Sequence, residues 1–165
     1  MIEHTWKHII NASSKDFWKA CMDLPLAAKL YKSLGVLEFV PSSVTVKDGV
    51  RHWQSRIKTA LPKVVRFIVT DISYVEVSSF KEPSGPYMFT CSVLGPLSGK
   101  VTIQGVISCF DIGPNQCERT TRVKVDSEGW IATVLNKGLI ENLGVTYAGS
   151  AAFFNRFFRE QAQEE

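Results

Sequence analysis

From residue 36 to residue 126 the chain is a succession of short β-rich runs. Apolar positions recur with the spacing of a helix towards its two ends and, briefly, over residues 61–68. The opening run, residues 4–11, is rich in β-formers and predicts a first strand. Ser13 or Ser14 then offers an N-cap, and Asp16 falls in the first turn, where its charge suits the helix dipole. Phe17, Trp18, Cys21 and Met22 make an apolar stripe, so residues 14–22 are expected to be helical. Pro25 suits the start of a second helix, Leu26 to Ser33, which Gly35 would stop.

The strand runs follow at 36–46, 50–58, 70–80, 86–94, 100–111 and 117–126. Asp48-Gly49 between the first two is a hairpin signal, and Pro41 should bulge its strand or hold it at a sheet edge. The breaks at 82–86, 95–99 and 113–116 are turn chemistry built on Gly, Pro, Ser and Asn. Strands joined by tight turns, with no helices between them, predict an antiparallel sheet. From Trp130 to about Ala162 the period changes to that of a helix. Leu135, Leu139, Leu143, Tyr147, Ala151, Phe154 and Phe158 recur mostly every four residues. The expected architecture is α+β: a curved antiparallel sheet of about seven strands around a long C-terminal helix, with two short helices after the first strand. Residues 1–165 read as one domain.

Composition narrows the function. The 165 residues are 45% hydrophobic and 21% charged, so the chain can bury a core of its own. A net charge of +3 is too mild for a dedicated nucleic-acid binder, and no apolar run is long enough to span a bilayer. Cys21, Cys91, Cys109 and Cys117 form no CxxC pair and fit no zinc spacing, so they read as small apolar side chains. Reduced thiols and the lack of a leader-like stretch in the first ten residues set the expectation of an intracellular protein.

The element order resembles the START-like, or SRPBCC, helix-grip fold. The opening Ile9-Ile10-Asn11-Ala12-Ser13-Ser14-Lys15-Asp16-Phe17-Trp18 is similar to that fold's first strand running into a capped helix. Two stretches resemble pieces of the PRELI-like lipid-transfer proteins and of an uncharacterised bacterial START-like family. They are Leu61 to Phe67 followed by Tyr74-Val75-Glu76, and Leu139-Ile140-Glu141-Asn142 through Phe153 to Phe157. The resemblance implies an interior cavity between sheet and helix that holds a lipid or another hydrophobic molecule. Periodicity alone gives a sheet and a helix, which would equally pack solid.

On this reading Leu139, Leu143, Tyr147 and Phe154 of the long helix are expected to line the cavity, together with Trp53, Phe67, Phe89 and Ile103. The polar residues His52, Arg56, Tyr74, Glu76 and Gln104 would orient a headgroup if they faced inward, but either parity of each strand is open. Residues 61–68 read as a short amphipathic helix between strands, and the PRELI-like resemblance makes this segment a lid. Residues 47–66 hold six cations against Asp48 alone, a local net charge of +5. Lys58, Lys63 and Arg66 are therefore assigned to a face that meets anionic membrane.

Catalytic motifs are absent: no G-x-S-x-G, H-E-x-x-H or glycine-rich phosphate loop occurs. His4 and His8 would sit on one strand face roughly 13 Å apart, too far for one metal ion. The expectation is a noncatalytic carrier of a lipid or other hydrophobic ligand, without metal or cofactor. Two alternatives stand beside it. One is a cyclase- or hydrolase-type enzyme using His52 or Glu76, and the other is an interaction module with a filled core.

Overall fold

The structure is a computed structural model that describes all residues except 43, 62, 64, 65, 67–69, 131 and 165. The chain runs β1 (Ile2–Ile10), α1 (Ser14–Cys21), α2 (Leu24–Ser33), β2 (Glu38–Pro41), β3 (Thr45–Lys47), β4 (Val50–Ala60) and β5 (Asp71–Lys81). It continues through β6 (Tyr87–Val93), β7 (Val101–Gly113) and β8 (Gln116–Ser127) to α3 (Ala132–Glu164). The fold is the α+β helix grip. One antiparallel sheet has the order β1-β8-β7-β6-β5-β4-β2, with β3 also paired to β4.

The sheet has eight strands because the run at 36–46 breaks in two. Pro41 ends β2 at the sheet edge, where its missing N–H costs no ladder bond. Asp48 and Gly49 both take positive φ, 53° and 74°, as a tight turn between Lys47 and Val50 requires. Ser13 caps α1 by accepting from the Asp16 N–H at 3.1 Å, and Asp23 caps α2 by accepting from the Leu26 N–H at 2.8 Å. The long helix starts at Ala132, two residues later than its pattern suggests, which leaves the Trp130 side chain almost wholly exposed.

Pairing fixes the strand parity that the sequence left open. On β4 and β5 the partners Ser55 and Glu76 share a face, and both are buried. The inward rows are therefore Arg51, Trp53, Ser55 and Ile57 on β4, and Ile72, Tyr74, Glu76, Ser78 and Phe80 on β5. His52 and Arg56 fall on the outer face, as does Gln104 of β7. On β8, Cys117, Arg119, Thr121, Val123 and Val125 all point inward.

Two buried clusters form beneath α3. The first joins Leu61, Ile72, Phe89, Ile103, Val123 and Leu135; the second joins Ile10, Phe17, Trp18, Phe80, Cys117 and Phe154. Gly144 brings α3 close to β1, because a Cβ there would lie 3.0 Å from the Trp6 indole nitrogen. In contrast α2 buries none of its side chains fully.

Candidate functional site

A cavity of about 790 Å³ lies between the concave face of the sheet, α3, α1 and α2. Volumes of this order hold lipid-sized or drug-sized molecules. Its wall is mainly apolar. Trp53, Phe89 and Ile103 come from the sheet, and Leu139, Leu143, Tyr147 and Phe154 from α3. Phe67, assigned with them from the sequence, lies outside the described residues. The wall residues Leu24, Gly35, Val44 and Val145 are also exposed, so they mark the mouth. That mouth is rimmed by α2, the loop after it and α3. The lid assigned to residues 61–68 falls mostly outside the described residues. Of that segment Lys63 and Arg66 are exposed, and the Arg66 side chain donates to the Leu61 carbonyl at 2.8 Å.

Two charged side chains are buried at the wall, and neither has an ion-pair partner among the described residues. Glu76 is 9% exposed. Its Oε1 accepts from the Ser78 hydroxyl at 2.7 Å and from the Tyr87 hydroxyl. Its Oε2 meets only the Cys91 thiol, at 3.9 Å. Burial pushes the Glu76 carboxyl above its ordinary range, and the bonds from Tyr87, Ser78 and Cys91 pull it part of the way back. Tyr31, Tyr74 and Tyr147 also line the cavity, and their hydroxyls have no hydrogen-bond partner among the described residues. Burial raises the pKa of each of these phenols, so they stay neutral.

Arg119 is 2% exposed and ties three elements together. It donates to the Ser150 hydroxyl at 2.9 Å and to the Tyr147 carbonyl at 2.6 Å, both on α3. It also lies 3.2 Å from His8 Nδ1 on β1. Desolvation and then the Arg119 charge hold the His8 pKa below its ordinary value. The imidazole in its neutral form accepts from the guanidinium.

The sequence did not single out Arg119, Ser55, Tyr31 or Tyr87. A signal for Arg119 exists in the row Cys117-x-Arg119-x-Thr121-x-Val123-x-Val125, where an arginine interrupts the apolar parity of a strand. Nothing comparable marks Tyr31, which reaches the site from a helix with no fully buried residue. His52, a candidate acid or base, is on the wrong face of β4; Glu76, the other candidate, is at the wall. Lys58 sits beside Asp71 at 3.6 Å, outside the cavity. Among the described residues no group of three His, Cys, Asp or Glu is placed to hold a metal ion. Among them, too, no helix is long and apolar enough to cross a membrane.

Comparison with known proteins places this architecture. The chain superposes on the Zhui aromatase/cyclase from Streptomyces sp. R1128 with a TM-score of 0.72 at 8% identity, over 94% of each chain. A START superfamily protein from Mycobacterium smegmatis gives 0.68 at 10% identity, over 94% of this chain and 98% of the other. Human StAR-related lipid transfer protein 5 gives 0.64 at 14% identity, over 94% of this chain and 76% of that one. The chain has the START-like helix-grip fold that these proteins share. No family model matches the sequence, and no curated protein matches it.

Proposed function

We propose that the protein binds a lipid or another hydrophobic small molecule reversibly in the cavity beneath α3. The single observation that carries this reading is a cavity of about 790 Å³ with a mainly apolar wall. Transfer of an alkyl chain from water into such a space gains about 0.8 kcal/mol per methylene. Two of the structural neighbours are named for lipid transfer or for the START superfamily, which agrees with this reading. Loading would pass the mouth at α2, none of whose side chains is fully buried. The exposed Lys63 and Arg66, with Lys58, would draw the protein to an anionic bilayer.

Native mass spectrometry of protein purified from cells tests the proposal. A bound hydrophobic mass is expected. Protein that is consistently empty, and that also fails to take fluorescent lipid from vesicles, would overturn it.

One observation favours a second reading. Glu76 is a buried acid at the wall whose pKa burial raises, the direction in which enzymes tune a carboxylic general acid or base. Two neighbours are named as aromatase/cyclases. Chemical turnover of a bound ligand, lost in Glu76→Gln with binding retained, would establish an enzyme. Release of every bound ligand unchanged would exclude one.

A further inference from the structure

Among the described residues Glu76 is the one buried acid. Its partners are the hydroxyls of Ser78 and Tyr87 and the thiol of Cys91, all uncharged. Among the described residues no cation pairs with it. A carboxylate removed from water without a counter-ion is costly, so such groups are paired, protonated or waiting for a charge from a ligand. Both hydroxyl donors converge on Oε1, an arrangement that serves the ionised form. Oε2 is left with a weak thiol contact and unused acceptor capacity.

The groups around it suit one kind of ligand atom. Tyr87 packs against Trp53 at 5.4 Å and against Phe89 at 5.9 Å between ring centroids. All three line the cavity. Aromatic faces attract cations, most strongly where water is excluded. Tyr31 from α2, Tyr74 from β5 and Tyr147 from α3 add phenolic oxygens that accept N–H bonds. Two cations stand at the wall: Arg51, which is paired with Glu82, and Arg119, whose terminal nitrogens are engaged by Ser150, the Tyr147 carbonyl and His8 while its Nε has no partner among the described residues.

We propose that the cavity takes a hydrophobic amine in its protonated form. Its ammonium sits against Glu76 and the rings of Trp53 and Tyr87, and its apolar tail runs along Leu139 and Leu143. This proposal rests on the cavity being a ligand site. It adds the class of ligand: a primary ammonium supplies three N–H donors and the missing positive charge. A neutral alcohol supplies no charge, and a carboxylate would be repelled by Glu76 and drawn to Arg119.

The test uses the full chain and three probes of equal tail length, dodecylamine, dodecanol and dodecanoate, below their aggregation limits at pH 7. Binding is followed by displacement of a fluorescent apolar dye. The amine is expected to bind at least about tenfold more tightly than either other probe. In Glu76→Gln that preference should vanish, with a cooperative thermal unfolding transition showing that the variant is folded. An alcohol or carboxylate that binds the native protein as tightly as the amine overturns the amine proposal and leaves the cavity reading standing. So does a Glu76→Gln protein that keeps the amine preference. Failure of all three probes overturns both readings. Should the variant not fold, the three affinities of the native protein decide the matter alone.

Discussion

The Phe89 ring lies over the Gly105 backbone of the neighbouring strand. The two residues are cross-strand partners, and a Cβ at position 105 would stand 2.2 Å from Phe89 Cζ. Gly105 is thus what allows an aromatic ring to lie flat in the cavity wall instead of projecting across it.

Gly105→Ala should therefore force Phe89 off the sheet and into the cavity. Overpacking of this kind costs about 1–3 kcal/mol. Chemical denaturation should report that loss, and dye binding should weaken because the displaced ring takes ligand volume. Normal dye affinity in a destabilised variant would show that Phe89 found room elsewhere.

Glu76 predicts a pH dependence with a definite sign. A carboxyl whose pKa is raised on folding favours the folded state below its unfolded value, near 4.5, and that contribution is lost as pH rises through the folded value. Glu76→Gln keeps the two hydroxyl bonds to an oxygen and removes the charge. Its melting temperature should match that of the native protein below pH 4 and exceed it by a growing margin from pH 5 to pH 8. A margin that does not change with pH would contradict the burial argument.

Arg119 should be a clamp. Its bonds join β8 to α3, and its contact with His8 reaches β1. Arg119→Met keeps most of the side-chain length and removes the charge and its bonds. A loss of about 2–4 kcal/mol is expected, since hydrogen bonds to buried charges are among the stronger ones. Hydrogen exchange should speed up in α3 around Tyr147 and Ser150. His8 adds an opposite slope. Its lowered pKa contributes stability that is present above about 6.5 and lost as pH falls through the folded value. Acidification from pH 7 to pH 5 should thus cost the native protein more than His8→Gln.

Leu143→Trp tests the space itself. The site lies on α3 at the cavity wall, and a larger ring there would occupy ligand volume at little cost to packing. A stable protein with dye affinity reduced at least about tenfold is expected. Unchanged affinity would place the bound dye somewhere other than this cavity.

Much of the architecture was legible in the chain. The N-cap serine, the Asp48-Gly49 turn, the strand runs and the four-residue apolar recurrence of α3 are local signals, and the structure contains each as an element. The split of residues 36–46 was half visible in Pro41. The eighth strand became countable only once both pieces were seen to pair with β4.

The inward row of β5 was the hardest to read. Ile72, Tyr74, Glu76, Ser78 and Phe80 alternate with Ser73, Val75, Val77 and Ser79, and hydropathy does not separate the two sets. Register with β4 and β6 decides between them. It places Glu76 inside, beside Ser55 and Cys91.

The sequence by itself determined the order of elements, the antiparallel connectivity and the apolar stripe of the last helix. These depend on neighbours a few residues apart, through turn chemistry, capping and period. Tertiary structure alone decided that Glu76, Tyr31, Tyr87 and Tyr147 surround one space and that Arg119 lies at its wall with no carboxylate partner among the described residues. Strand register and the path of α3 over the sheet set those positions. Both follow from contacts between residues far apart in the chain, to which no local pattern is sensitive.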